Sequence, residues 1–163
     1  MRVQCKLSIV GACEGVQRLT ALSMIRERLI PAVKAAFPGR AFGFSAPPEP
    51  IVKLASGSPE IGDLAIYDEG EEATVCITEI THGHFNPYDA SLTQDQIDNR
   101  VTEDVVEFLR ALFSDHVLLY RTPSRSMGGW SIIDAPPDLK ELAEGREYFL
   151  WSGPYKRFDN RKS

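Results

Sequence analysis

The chain has 163 residues, of which 43% are hydrophobic and 25% are charged, and its formal net charge is −5. These proportions are typical of a globular protein and exclude a disordered or fibrous chain. At this length one core can bury roughly 70% of the surface that the unfolded chain exposes, so we predict a single domain over 1–163.

The charge is unevenly distributed along the chain. The last eight residues hold four basic side chains and one acid, which leaves a net charge of −8 on the rest. Nucleic-acid-binding proteins need a basic face that neutralises phosphates, so we expect no nucleic-acid partner. An acidic surface suits a basic protein partner, because complementary fields speed the encounter, and it also keeps a protein soluble.

The three cysteines, Cys5, Cys13 and Cys76, are odd in number and form no Cys-x-x-Cys pair. This pattern disfavours a disulfide framework and fits a reducing compartment. The apolar stretch 7–13 is too short to span a membrane. We therefore expect a cytoplasmic protein that does not associate with membranes.

The first third of the chain predicts a strand over 3–12 and a helical pattern over 16–37. Pro31 lies inside that pattern, so either the helix kinks there or a second helix starts with Pro31 in its first turn. Four prolines in 40–60 predict a loop, with a short strand possible at 51–54.

A hairpin is the clearest feature of the middle of the chain. Residues 63–67 and 73–81 form its strands, and the acidic segment 68–72 forms its turn. Both faces of the second strand are partly apolar, which predicts a central strand. Thr93 and Gln96 have the spacing of a capping box, and the apolar stripe behind them predicts a helix through Phe113.

Shorter elements follow this helix. We predict strands at 116–120, 130–133 and 148–151, a turn within 124–129, and a short helix at 138–145. The aromatic-rich last strand is expected to pack on the core, and Trp130 is expected to anchor it. The basic tail, 152–163, is expected to fray.

This order of elements predicts an α+β fold. Its mixed sheet has a β-β-α-β-β middle section, with the N-terminal strand-helix unit packed against it. A strand, a crossover helix and a second strand in one sheet would make the strands beginning near Ala73 and His116 parallel neighbours.

His82 and His84 form the most unusual local pattern, because residues two apart on a strand share a face and two imidazoles can hold a metal. The predicted crossover places His116 at the opposite end of the sheet, which disfavours a site of three histidines. Asp89, Glu79 or Cys76 could complete a site, but each has a simpler role on the surface or in the core. We therefore predict neither a metal nor a cofactor.

The same crossover would bring His82 and His84 beside the turn after Tyr120. That turn offers the candidate ligands Arg121, Ser124, Arg125 and Ser126, followed by Gly128 and Gly129. Together these groups could hold a phosphate or a carboxylate. The alternative is a hairpin with a solvated polar tip, in which the glycines supply positive φ angles.

Two functional classes remain open. The first, which we favour, is a non-catalytic binding protein of the bacterial cytoplasm, and one concrete form of it is an immunity-type protein that neutralises a toxin partner. The second is a small enzyme or anion-binding domain that uses the cluster of His82, His84, Arg121 and Arg125. The sequence contains no catalytic motif that identifies a nucleophile, and it does not predict the oligomeric state.

Overall fold

The computed structural model describes residues 25–122 and 127–156 and confirms the α+β fold. The two helices are α1 (Ile25–Ala36) and α2 (Gln94–Phe113). The strands are β1 (Gly43–Phe44), β2 (Val52–Leu54), β3 (Leu64–Asp68), β4 (Ala73–Ile77), β5 (Thr81–Phe85), β6 (Val117–Thr122), β7 (Met127–Ile132), β8 (Glu147–Leu150) and β9 (Gly153–Lys156). A 3₁₀ helix, Leu139–Glu141, replaces the short helix predicted at 138–145.

The strands form two antiparallel sheets, with the orders β1-β2-β3-β4-β5 and β7-β6-β8-β9. The predicted mixed sheet is therefore wrong, and so is the parallel crossover between β4 and β6. Both edges of β4 are already occupied, because β3 pairs with one and β5 with the other. The strand after α2 had to pair elsewhere, and β6 starts the second sheet with β7 and β8.

The predicted strand over 73–81 is split by a tight turn. The N–H of Ile80 donates to the carbonyl of Ile77 at 2.9 Å, and the chain then reverses into β5. All five residues of β4 are buried, which confirms it as a central strand. Residues 82–85 also belong to β5, beyond the end predicted at residue 81 for the second strand of the hairpin.

Helix α2 begins as predicted. Thr93 Oγ1 accepts from the N–H of Gln96, and Gln96 Oε1 accepts from the N–H of Thr93 at 2.9 Å, so both halves of the capping box are present. The predicted stripe is buried at Val101, Val105, Phe108, Leu109 and Leu112.

Helix α1 continues through Pro31, which neither kinks it enough to divide it nor begins a new helix. Pro31 is exposed, whereas Ile25, Leu29 and Val33 are fully buried on the opposite side. The earlier part of the predicted helix and the predicted strand over 3–12 lie outside the described residues.

One hydrophobic core joins both helices and both sheets. The sheets meet where β5 packs on β7. There the ring of Trp130 lies against Gly83, stacks on Phe85 and contacts the tilted ring of Phe108. Trp130 is thus the predicted core anchor. Tyr148, Phe149 and Trp151 are also buried, as expected for a strand that packs on the core.

Gly128 and Gly129 lie inside β7, and neither has a positive φ. The prediction that they supply the conformation of a turn is wrong. A Cβ on Gly128 would lie 2.0 Å from the carbonyl oxygen of Ile80, so the glycine permits the close approach of β7 to the turn between β4 and β5.

Strand β9 shows that ordered structure continues to residue 156, inside the segment that the sequence predicted to fray. Within the described part of the chain, no helix is both long enough and apolar enough to cross a membrane.

Candidate functional site

His82 and His84 project from one face of β5, as the alternation of a strand predicts. In the ladder with β4, His82 lies opposite Cys76 and His84 lies opposite Thr74. The two imidazoles are in edge-to-face contact, with ring centroids 5.2 Å apart. The face therefore presents two adjacent imidazoles.

His84 has two polar partners on the β3–β4 side. Its Nδ1 lies 2.9 Å from Glu72 Oε1 and 3.1 Å from Thr74 Oγ1. The Glu72 side chain is 24% exposed and that of His84 is 41% exposed, so this contact is partly shielded from solvent. An anion at His84 would have to compete with the Glu72 carboxylate.

The acidic turn 68–72 is fixed by contacts at several points. Asp68 accepts from the N–H of Gly70 and from the N–H of Arg26, the second residue of α1. The N–H of Glu69 donates to the carbonyl of Glu72 at 3.0 Å, and the Gln94 side chain donates to the carbonyl of Gly70. Residues at the starts of both helices therefore position this turn.

Glu69 completes a group that the sequence analysis missed. One ligand atom each from Glu69, Glu72 and His84 lies within 4.8 Å of the others. The sequence assigned both glutamates only to a turn. Recognising β5 as a separate strand would have revealed the group, because pairing of Ala73 with Phe85 brings the end of the turn beside His84.

The other residues considered for a metal do not join this group. Asp89 accepts hydrogen bonds from the side chain and N–H of Ser91, and these bonds lower the pKa of the Asp89 carboxyl. Cys76 is buried, and Glu79 is exposed in the turn before β5. His116 is exposed next to β6, in the second sheet.

Arg121 is engaged in contacts inside the protein. Its Nε donates to Glu147 Oε2 at 2.7 Å, its Nη1 donates to the carbonyl of Glu60 at 3.0 Å, and its guanidinium lies over the Phe149 ring. The parallel strands that led us to group Arg121 with the histidines do not exist. Ser124, Arg125 and Ser126 lie outside the described residues, so the anion site stays a prediction without a supporting contact.

A second candidate surface is the groove between α1 and α2. It is defined by residues Ala32, Thr102, Glu103, Val106, Glu107 and Arg110. Ala32, Val106 and Thr102 give it a mostly apolar wall, and the exposed Glu103 and Glu107 form an acidic rim. Its surface combines apolar contact area with negative charge.

The acidic rim lacks ion-pair partners. Among the described residues, neither Glu103 nor Glu107 forms an ion pair, whereas Asp95 pairs with Arg28 and Asp104 lies 3.9 Å from Arg100. Burial raises the pKa of the Asp104 carboxyl, the neighbouring Arg100 lowers it, and Glu107 and Glu103 raise it further. The raised pKa reflects partial burial together with the negative potential of this helix face.

The groove also contains a buried polar group without a partner. Thr102 is 9% exposed, and its hydroxyl makes no hydrogen bond to any described residue. A buried hydroxyl without a partner costs about 1–3 kcal/mol.

No protein-family model, no curated protein and no solved structure matches this chain.

Proposed function

We propose that this chain is a non-catalytic binding protein of the bacterial cytoplasm, of the immunity type, which neutralises a basic toxin by binding it at the α1–α2 groove. The observation that carries the proposal is the pair Glu103 and Glu107, two exposed carboxylates that lie beside an apolar wall and form no ion pair with a described residue. The partner segment expected from this chemistry is a helix or loop that presents an apolar residue flanked by Lys or Arg.

Charge supports a basic partner. Helix α2 holds five acidic and two basic residues. One of these acids, Asp95 near the start of α2, forms an ion pair with Arg28 of α1. Glu103 and Glu107, which pair with no described cation, lie further along α2 and beside the groove. Fields of opposite sign would speed the encounter with a basic protein and suppress binding of acidic ones.

The groove wall supports contact with an apolar side chain. Val106 and Ala32 are half-buried, so docking would remove further apolar surface from water, at about 25 cal/mol per Å². Arg110 also lines the groove, and its guanidinium lies over the ring of Phe37. Its positive charge would orient a basic segment toward Glu103 and Glu107.

A reducing location is supported by cysteine usage. Cys76 is buried in β4, and the chain has an odd number of cysteines. An odd number of cysteines without a Cys-x-x-Cys pair disfavours a disulfide framework and is typical of proteins from reducing compartments.

The experiment is copurification of the full chain with the product of the neighbouring gene, which for a toxin–immunity pair encodes the toxin. A stable one-to-one complex with a basic toxin, lost when Glu103 and Glu107 are both changed to Gln, is the expected result. Absence of a complex contradicts the function, and a complex that the double variant leaves intact contradicts the groove as its site.

A further inference from the structure

We propose that Glu69, Glu72 and His84 form a binding site for a divalent transition-metal ion, for which Zn²⁺ is the representative probe. The site is separate from the α1–α2 groove and does not depend on the binding function proposed there. It also revises the expectation from sequence that the chain holds no metal.

The ligand set has suitable chemistry. Imidazole nitrogen and carboxylate oxygen both bind Zn²⁺ at about 2.0–2.2 Å, and three protein ligands leave a position for water. An imidazole among the ligands favours Zn²⁺ and similar ions over Mg²⁺ and Ca²⁺, which prefer oxygen ligands only.

The geometry of the group also fits one ion. With bonds of about 2.1 Å, two ligands of a tetrahedral or octahedral ion lie about 3.0–3.4 Å apart. Glu72 Oε1 and His84 Nδ1 are already 2.9 Å apart, and all three ligand atoms lie within 4.8 Å of one another. Glu69 is exposed, so rotation of its side chain can close the remaining separation.

The backbone that carries the ligands is organised in advance. Strand pairing fixes His84 opposite Thr74, and the hydrogen bond from Glu69 N to Glu72 O fixes the two glutamates across the turn. Because Arg26 N and the Gln94 side chain also bind this turn, little backbone order has to be gained on metal binding. Preorganisation of this kind raises affinity by lowering the entropy lost on binding.

Charge in the turn favours a cation. Four of the five residues over 68–72 are acidic, and a divalent ion would neutralise two carboxylates that are close together. The ring of His82 packs against that of His84 and restricts its orientation, which is a positioning role.

The test is titration of the full chain with Zn²⁺ in excess Mg²⁺, followed by calorimetry and by NMR of the histidine ring nitrogens. We expect one ion per chain, with shifts at His84 and smaller shifts at His82. The exposed His116, which directly precedes β6 of the other sheet, is an internal control that should not respond at the same Zn²⁺ concentration.

Two variants of the turn complete the test. Glu69→Gln should weaken Zn²⁺ binding at least about tenfold. Loss of a residue that only supports a metal ligand already weakens binding by about 10–100-fold, and Glu69 is proposed as a ligand itself. Glu71→Gln removes the same charge from the same turn but lies outside the group, and it should leave binding unchanged. Equal weakening by both variants, a response of His116 without His84, or no stoichiometric binding by the unaltered chain would each overturn the site.

Discussion

Glu103 and Glu107 lie one helical turn apart on α2, and both carboxylates stand exposed beside the groove without an ion pair to any described residue. Like charges at this spacing destabilise a helix by about 0.2–0.5 kcal/mol. An arrangement that costs stability is consistent with a surface kept for binding a basic partner.

Replacing both residues, as Glu103→Gln/Glu107→Gln, should therefore increase the free energy of unfolding by about 0.2–0.5 kcal/mol. The gain should shrink at high salt, because screening already weakens the repulsion. Urea denaturation at low and high salt measures both effects. The matched control, Glu49→Gln/Glu144→Gln, makes the same change in net charge at two exposed positions and should leave stability unaltered.

Asp104→Asn should stabilise the protein at neutral pH and lose that advantage in acid. The folded-state pKa of Asp104 is raised, so the folded chain binds its proton more tightly than the unfolded chain does. Stability consequently falls as the pH rises from the ordinary value of 3.8 through the raised pKa, and the Asn variant should lack this fall. Urea denaturation of the unaltered protein and of Asp104→Asn over the acidic range measures the free energy of unfolding of each. A difference between the two that is the same at every pH would contradict a raised pKa at Asp104.

Asp89 should show the opposite pH dependence. Its pKa is lowered because Ser91 donates two hydrogen bonds to the carboxylate. Its contribution to stability is present above pH 3.8 and is lost as the pH falls through the lowered pKa. Asp89→Ala should thus destabilise the protein near neutral pH and have a smaller effect in acid, as measured by the same denaturation series. If Asp89→Ala destabilised the protein more in acid than near neutral pH, the hydrogen bonds from Ser91 could not be the cause of its effect.

Gly83→Ala should destabilise the protein by about 1–3 kcal/mol or more, the usual cost of overpacking a core. The new Cβ would lie 1.9 Å from the Trp130 ring, which Phe85 and Phe108 hold in place. Gly57→Ala is the control, because its Cβ would meet nothing within 4 Å. Equilibrium unfolding, monitored by tryptophan fluorescence, measures the stability of both variants. Equal stabilities of Gly83→Ala and Gly57→Ala would contradict the packing described between β5 and β7.

Local patterns in the sequence predicted α2 and the β3–β4 hairpin well. The capping box at Thr93 and the buried stripe from Val101 onward depend on residues close together in the chain, so sequence spacing is enough to recognise them. The prediction of β4 as central followed from its two apolar faces in the same way.

The pairing between distant segments could not be predicted in this way. A turn of three residues, 78–80, reverses the chain without a glycine or proline, so β4 and β5 resembled one strand. Because β5 was not recognised as a separate strand, one edge of β4 had no predicted partner. The strand after α2 was therefore wrongly predicted to pair there in parallel. The same error also separated Glu72 from His84, although antiparallel pairing places them in contact.

The groove shows a different limit of sequence reasoning. The stripe of α2 indicates which face enters the core, but the position of Ala32 beside Val106 depends on how the two helices pack. The absence of ion pairs at Glu103 and Glu107 can likewise be recognised only after their described neighbours have been positioned.

The most direct test of the proposed function is calorimetric titration of the full chain with the purified product of the neighbouring gene, at near-physiological salt. We predict one-to-one binding that Glu103→Gln/Glu107→Gln weakens about tenfold or more, equivalent to about 1.4 kcal/mol, and that Glu49→Gln/Glu144→Gln leaves unchanged. No binding, or equal binding by the two double variants, would contradict recognition of a basic partner at the α1–α2 groove.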